Sequence, residues 1–422
     1  MNDVWLIGGQ IFDATGRAPY RADLRISNGR IADIVEHDDV VDTSGTTHTA
    51  NAPVTRYDIT GCTVLPGLID AHAHVGILRL SGQNEVPAPV QAAQVFANLA
   101  TSLEQGFTTL RDLGGVDGGL VAAVEEGYIP GPRLLPSGRI LSQTAGHGDL
   151  RRRFSSQCCN PGTGAEGIAL PMHIVDGVSE ALRAARDQFR RGATQIKVFA
   201  SGGVLSEGDP LESPQFSEEE LRAIVSVAED RDSYVTAHAH TVRGIQRGIR
   251  AGVTCFEHGT ILDEETVHML AASGAVVVGT QTVAEIMRVA PESLGIPEAW
   301  LEDAARVREK MAESLTMLYE AGVPVGAGAD LVGTDQTQRG WEIALRADIV
   351  DAQRAIESST RVNAEILGIA DDVGTVEGGK IADLVVVDFD PVQRVHLFKE
   401  QRPHLVFQAG DLVSRDGTLV TA

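Results

Sequence analysis

Two histidines two residues apart, His72 and His74, close the apolar stretch VLPGLIDAHAH. On a β-strand, residues i and i+2 face the same side, so both imidazoles point one way. Core histidines satisfied by backbone groups would explain such a pair taken alone. Other residues of the same kind follow at the ends of apolar runs: Lys197 in TQIKVFASGG, His238 and His240 in TAHAH, His258 in CFEHG and Asp330 in GAGAD. Each has its own structural reading, as a salt bridge, a helix cap or a packed ring. Together they form a donor set of imidazole and carboxylate without soft thiolate, which suits Zn²⁺ and its borderline neighbours. Lys197 is the odd member, because a buried ammonium is costly and repels a cation. Addition of CO₂ to the neutral amine removes both problems. The resulting carbamate has two oxygens and can bridge two divalent metal ions.

These residues need a frame that brings strand ends together. From Leu65 to about Leu367, short β-rich runs alternate with longer amphipathic segments, the pattern of parallel βα units. Strands are expected at TVLPGLIDAHAH, FTTLRDL, PRLLPSG, TQIKVFA, SYVTAHAH, VTCFEHG, AVVVGT and VPVGAGAD, with helices such as APVQAAQVFANLATSLEQ and TVRGIQRGIRAG between them. Eight strands each followed by helical sequence predict an α/β fold, a (β/α)8 TIM-like barrel with chemistry at the carboxyl ends of its strands. The two chain ends are β-rich. A turn is expected at Gly8-Gly9 and a hairpin at Asn28-Gly29. We therefore expect a small composite β-sandwich from residues 1–62 and 371–422 around a barrel at 63–370.

Bulk composition narrows the function classes. The 422 residues carry 35 basic and 58 acidic side chains, a formal net charge of −23. That balance repels phosphate backbones and anionic lipids, so neither nucleic acid nor a membrane surface is an expected partner. Hydrophobic content of 43% and charged content of 22% fit a folded globular chain. Cys62, Cys158, Cys159 and Cys255 show no Cys-x-x-Cys spacing, against a disulfide framework or thiolate zinc site. The stretch MNDVWLIGGQIFD lacks an export signal's basic and apolar regions, and no apolar run reaches the roughly 20 residues of a membrane span. A cytoplasmic location is expected.

PGLIDAHAH, the lysine of the fourth strand, HAHTVRGIQRGIRAGVTCFEHGT and the closing GAD resemble the amidohydrolase superfamily of metal-dependent hydrolases. GFTTLRDLGG, AGHGD, IKVFASGGVLS and GTVEGGKIADLVVVD make the likeness closest to its prolidase-like dipeptidase and carboxypeptidase branch, which includes ochratoxin-hydrolysing amidases. By that resemblance, His72, His74 and Asp330 hold one metal ion, His238 and His258 hold a second, and carboxylated Lys197 bridges them. Zinc is the expected metal, with manganese or cobalt as alternatives. His147, in AGHGD, matches the branch's substrate-binding histidine. His240 stands where relatives often carry Tyr, and as an imidazole it can still donate to a substrate carboxylate.

The function so implied is hydrolysis of an amide bond beside a free carboxylate by metal-activated hydroxide, with Asp330 moving the proton. Dipeptides, N-acyl amino acids and ochratoxin-like aryl amides are the candidate small-molecule substrates, and the resemblance implies a homo-oligomer. The rival on the same barrel is a mononuclear deaminase or imidazolone-type ring hydrolase, whose members generally lack the bridging lysine. A non-catalytic scaffold is a third reading, opposed by the filled ligand positions. Asp112 is expected to order the end of the second strand, and Glu257 to face away from His258's side. His37, His48, His396 and His404 fall outside the site. Segments 77–90, 141–175 and 279–300, the second holding Arg151-Arg152-Arg153 and Cys158-Cys159, are expected to set specificity.

Overall fold

The computed structural model describes residues 3–37, 54–79, 86–151, 172–204, 209–294 and 298–420. Arg152, Arg153, Cys158, Cys159 and His48 lie outside the described residues. The chain divides into two compact units. One comprises Met1–Ile69, Ala100–Thr109 and Ile343–Ala422, the other Asp70–Leu99 and Leu110–Glu342.

The first unit is built on a nine-stranded sheet drawn from both chain ends. Leu384–Val387 pairs antiparallel with Thr63–Pro66, placing Val385 opposite Leu65. Alternating apolar residues on these strands, among them Leu6, Leu24, Ile26, Val64, Leu384, Val386 and Phe407, bury one common core. The hairpin at Asn28-Gly29 forms between strands Tyr20–Ser27 and Arg30–Glu36. Both turn residues take positive φ, 51° and 76°, as its tight primed turn requires. Gly8-Gly9 behaves differently from expectation. Asp3–Ile11 is one continuous strand, and its register with the second strand shifts between Leu6 and Gly9. The glycines accommodate a bulge instead of reversing the chain.

The second unit carries the alternation of strand and helix. Seven parallel strands run in the order Met172–Ile174, Ile140–Ser142, Ile196–Phe199, Val235–Thr241, Cys255–Ile261, Val276–Gly279 and Val325–Ala327. A further sheet joins Leu68–Ala73, Phe107–Asp112 and Arg133–Pro136. Ile140–Ser142 and Met172–Ile174 were not among the expected strands. The third position is in fact split. Thr194 N donates to Pro136 O at 2.8 Å, while Leu141 pairs with Val198 beyond a break containing Gly138 at φ 70°.

Helices cover these strands through narrow apolar stripes. In Val242–Ala251 the buried residues are Gly244, Ile245, Gly248 and Ala251, a helical period. Burying Ile245 stabilises by roughly 1.5–3 kcal/mol. Glu218–Glu229 begins with a capping box between Ser217 and Glu220, which satisfies the first free amides.

Candidate metal centre

The strand ends of the second unit converge on a buried group of imidazoles. His72 closes the Leu68–Ala73 strand, with His74 just beyond it. Nδ1 of His72 lies 2.7 Å from Oε2 of Glu257, and Nδ1 of His74 lies 3.0 Å from the Gly114 carbonyl. Carboxylates and carbonyls only accept, so both rings carry a proton on Nδ1, and each ring in its neutral form presents an Nε2 lone pair. Those two Nε2 atoms are 3.3 Å apart. Oδ1 of Asp330 stands 3.4 Å from the first and 3.3 Å from the second.

That triangle has the dimensions of a metal site. Two ligand atoms, each bonded at 2.0–2.1 Å to a tetrahedral zinc, lie about 3.3–3.4 Å from one another. The donor set and its spacing therefore fit a divalent ion.

Backbone geometry builds the triangle. Asp330 N donates to His72 O at 2.8 Å. Asp70 Oδ1 accepts from His72 N and Ala329 N, and its other oxygen pairs with fully buried Arg339. A Cβ on Gly328 would sit 2.3 Å from the His72 Cβ, so only glycine permits this approach. Asp330 itself adopts φ 52°, which turns its carboxylate toward the two rings.

The neighbouring strands supply the rest. His238 and His240 lie on one face of Val235–Thr241, and His258 lies on Cys255–Ile261. Two overlapping donor groups result, His238 with His240 and His258, and His72 with His258 and Asp330. His238 Nε2 donates to Gly202 O at 3.3 Å, leaving Nδ1 as its lone-pair nitrogen. His240 Nδ1 and His258 Nδ1 each lie 2.8 Å from a threonine hydroxyl, Thr260 and Thr280 respectively. Burial pushes the His238 and His258 imidazoles well below their usual range and His240 down to about 3. All three are thus neutral, the form that ligates metal.

Lys197 is 1% exposed, on the Ile196–Phe199 strand. Its charge acts on His72, His74, His238, His258 and Asp330. Burial, opposed by Glu257 and Asp330, pushes the amine down to about 8. A neutral fraction able to add CO₂ is therefore present near physiological pH.

His147 stacks on His238 with ring centroids 4.6 Å apart. Its Nδ1 lies 3.2 Å from Oδ2 of Asp209, and its amide donates to Gln215 Oε1 at 2.9 Å. Thus His147 borders the donor groups, and His240 belongs to one of them. Asp112 orders its loop as expected, accepting from Val75 N and Gly114 N. Burial pushes its carboxyl up to about 6.

Glu257 corrects the reading from sequence. It shares its register position with His238, so it faces the site. His258 is the residue that departs from strand alternation, with φ 73°, and the left-handed turn brings its ring back to the same side. The signal available in the sequence was a carboxylate inside the apolar run TCFEHG. Arg111, whose Nη2 reaches Glu257 Oε1 at 2.6 Å, was likewise missed.

Residues 63–417 match the amidohydrolase family. The chain belongs to the amidohydrolase family. This amidohydrolase is 33% identical over 356 residues to the ochratoxinase of Aspergillus niger, covering 80% of this chain and 73% of that one. It superposes with a TM-score of 0.91 on a prolidase complexed with N-methylphosphonate-L-proline, at 36% identity over 98% of this chain and 100% of that one. A Xaa-Pro dipeptidase with methionine bound in its active site gives a TM-score of 0.82 at 28% identity, over 97% and 99% of the two chains. The amidohydrolase is accordingly a prolidase- and ochratoxinase-like hydrolase acting on C–N bonds of the amide kind. Its fold is mixed α/β of the TIM-barrel type shared by these neighbours, with sheet-rich segments at both chain ends. The family is generally metal-dependent, in keeping with the histidine groups. Among the described residues, no helix is long and apolar enough to cross a membrane.

Proposed function

We propose that this amidohydrolase cleaves an amide bond beside a free carboxylate, at two divalent ions held by the strand ends of a closed (β/α)8 barrel. The triangle of His72 Nε2, His74 Nε2 and Asp330 Oδ1, with edges of 3.3–3.4 Å, carries this reading. Closure is supported by backbone bonds at both sheet margins, Thr194 N to Pro136 O and Asp330 N to His72 O. His72, His74 and Asp330 would hold one ion, and His238 and His258 the other. A carbamate on Lys197 would bridge them. Bound ions of this kind lower the pKa of water and polarise a carbonyl oxygen.

The chain's own groups then orient substrate and move protons. Asp330, turned by its backbone toward the His72 and His74 rings, would accept a proton from the attacking water on its carboxylate and pass it to the departing amine nitrogen. His147, braced by Asp209 at Nδ1, orients the substrate carboxylate. His240 takes the Thr260 hydroxyl proton at Nδ1 as a hydrogen bond and offers its own Nε2–H to the same carboxylate. The prolidase ligand N-methylphosphonate-L-proline carries such a carboxylate, which supports this substrate class. Dipeptides, N-acyl amino acids and aryl amides of amino acids all meet the requirement.

A panel of dipeptides and N-acyl amino acids, varied at the C-terminal residue, tests the reading when metal is counted on the same preparation. Cleavage of carboxylate-bearing amides with about two ions per chain is expected. Turnover of neutral amides or ureas alone would sink the substrate assignment. About one ion per chain, with deamination activity, would favour the mononuclear rival.

A further inference from the structure

Beneath the candidate ligands lies a fully buried ionic cluster that the proposed reaction does not use. Glu257 and Arg111 are both 0% exposed. Arg111 spreads its guanidinium between two strands and Tyr234, the residue just before a third. Nε donates to the Ala71 carbonyl at 2.6 Å, Nη2 to Glu257 Oε1 at 2.6 Å, and Nη1 to Tyr234 Oη at 3.2 Å and Cys255 Sγ at 3.3 Å. Thr236 also donates to Glu257 Oε1. The remaining oxygen, Oε2, accepts from His72 Nδ1 at 2.7 Å.

A carboxylate that only pairs with an arginine can give both of its oxygens to the guanidinium. Here the second is committed to an imidazole whose other nitrogen faces His74 and Asp330. Arg111 also grips the carbonyl of Ala71, the residue before His72, so backbone and ring are held by the same pair. A carboxylate acting through histidine fixes the ring's tautomer and raises the basicity of the opposite nitrogen.

Building on the proposed ligand role of His72, we propose that Glu257, clamped by Arg111, is a positioning residue that sets the affinity of the first metal ion. It keeps the proton on Nδ1 and aims the Nε2 lone pair out of the ring toward the ion. A second ion, which His238 and His258 would hold, would not share the His72 ligand that Glu257 braces.

The test compares wild type with Glu257→Gln, each stripped of metal and refilled with zinc against a chromophoric chelator. Cobalt-filled protein gives a visible spectrum as a second readout, and urea unfolding of the stripped chains reports stability separately. Expected is a roughly 10–100-fold weaker site for one ion, an unchanged site for the other, and an altered cobalt spectrum. Should Glu257→Gln fail to fold, the double variant Glu257→Gln/Arg111→Met removes both buried charges and reads the same affinities. Wild-type affinity for both ions and an unaltered spectrum, in a folded variant, overturn the proposal. A wild-type chain that takes up no ion overturns instead the two-ion reading on which it rests.

Discussion

Asp330 and His72 meet twice, through a backbone bond of 2.8 Å from Asp330 N to His72 O and through side chains 3.4 Å apart. The backbone bond sets the distance between the two chain segments, and the positive φ of Asp330 sets the direction of its carboxylate. The group proposed to transfer the proton is thereby held at a fixed place beside the ring nitrogens.

Replacing Asp330 with Asn keeps an oxygen at that place and removes the proposed base. Turnover is expected to fall at least ~10²-fold, the usual worth of a positioned general base, while metal content stays near wild type. Steady-state kinetics and metal analysis on one preparation check this. Full activity in the variant would remove Asp330 from proton transfer.

Metal removal makes a second prediction. Dialysis against a strong chelator should abolish amide hydrolysis, and zinc, manganese or cobalt supplied with bicarbonate should restore it. The Lys197→Ala chain should not recover under the same treatment. Intact-mass measurement under non-denaturing conditions should show one added CO₂ on wild type and none on the variant. An unmodified lysine in a fully active, metal-loaded chain would be incompatible with the bridging role.

Gly203 lies directly under His147. A Cβ at that position would fall 2.3 Å from the ring's Cε1 and 2.5 Å from Nε2. Gly203→Ala should therefore displace the imidazole proposed to orient the substrate carboxylate. We expect KM to rise several-fold or more with a smaller change in kcat, because a positioning contact is lost while the reacting groups remain. An unchanged KM for carboxylate-bearing amides would place the anchor elsewhere.

Arg339 neutralises Asp70, and Asp70 accepts from the amides of both His72 and Ala329. Arg339→Met would leave a buried carboxylate without its cation. A loss of about 3–5 kcal/mol in unfolding free energy is expected, read by urea titration of the stripped protein. A midpoint within error of wild type would show that the amides alone sustain Asp70.

The chemistry-bearing residues were legible in the sequence because type and period-two spacing are local properties. His72, His74, His238 and His240 needed only a strand and its alternation. The hairpin at Asn28-Gly29 was equally local, since those residues tolerate positive φ wherever they occur. Glu257 was not legible, because its face depends on which of two adjacent residues leaves the strand geometry. His258 leaves it at φ 73°, a conformation its own side chain does not favour and its surroundings impose. The split of the third strand between Arg133–Pro136 and Ile140–Ser142 was hidden for a similar reason, as each half finds its partner on a different neighbour. Sequence alone determined which candidate groups this chain offers for binding and catalysis. Tertiary structure decided which of them face one another, because that depends on backbone turns and long-range pairings that no single segment encodes.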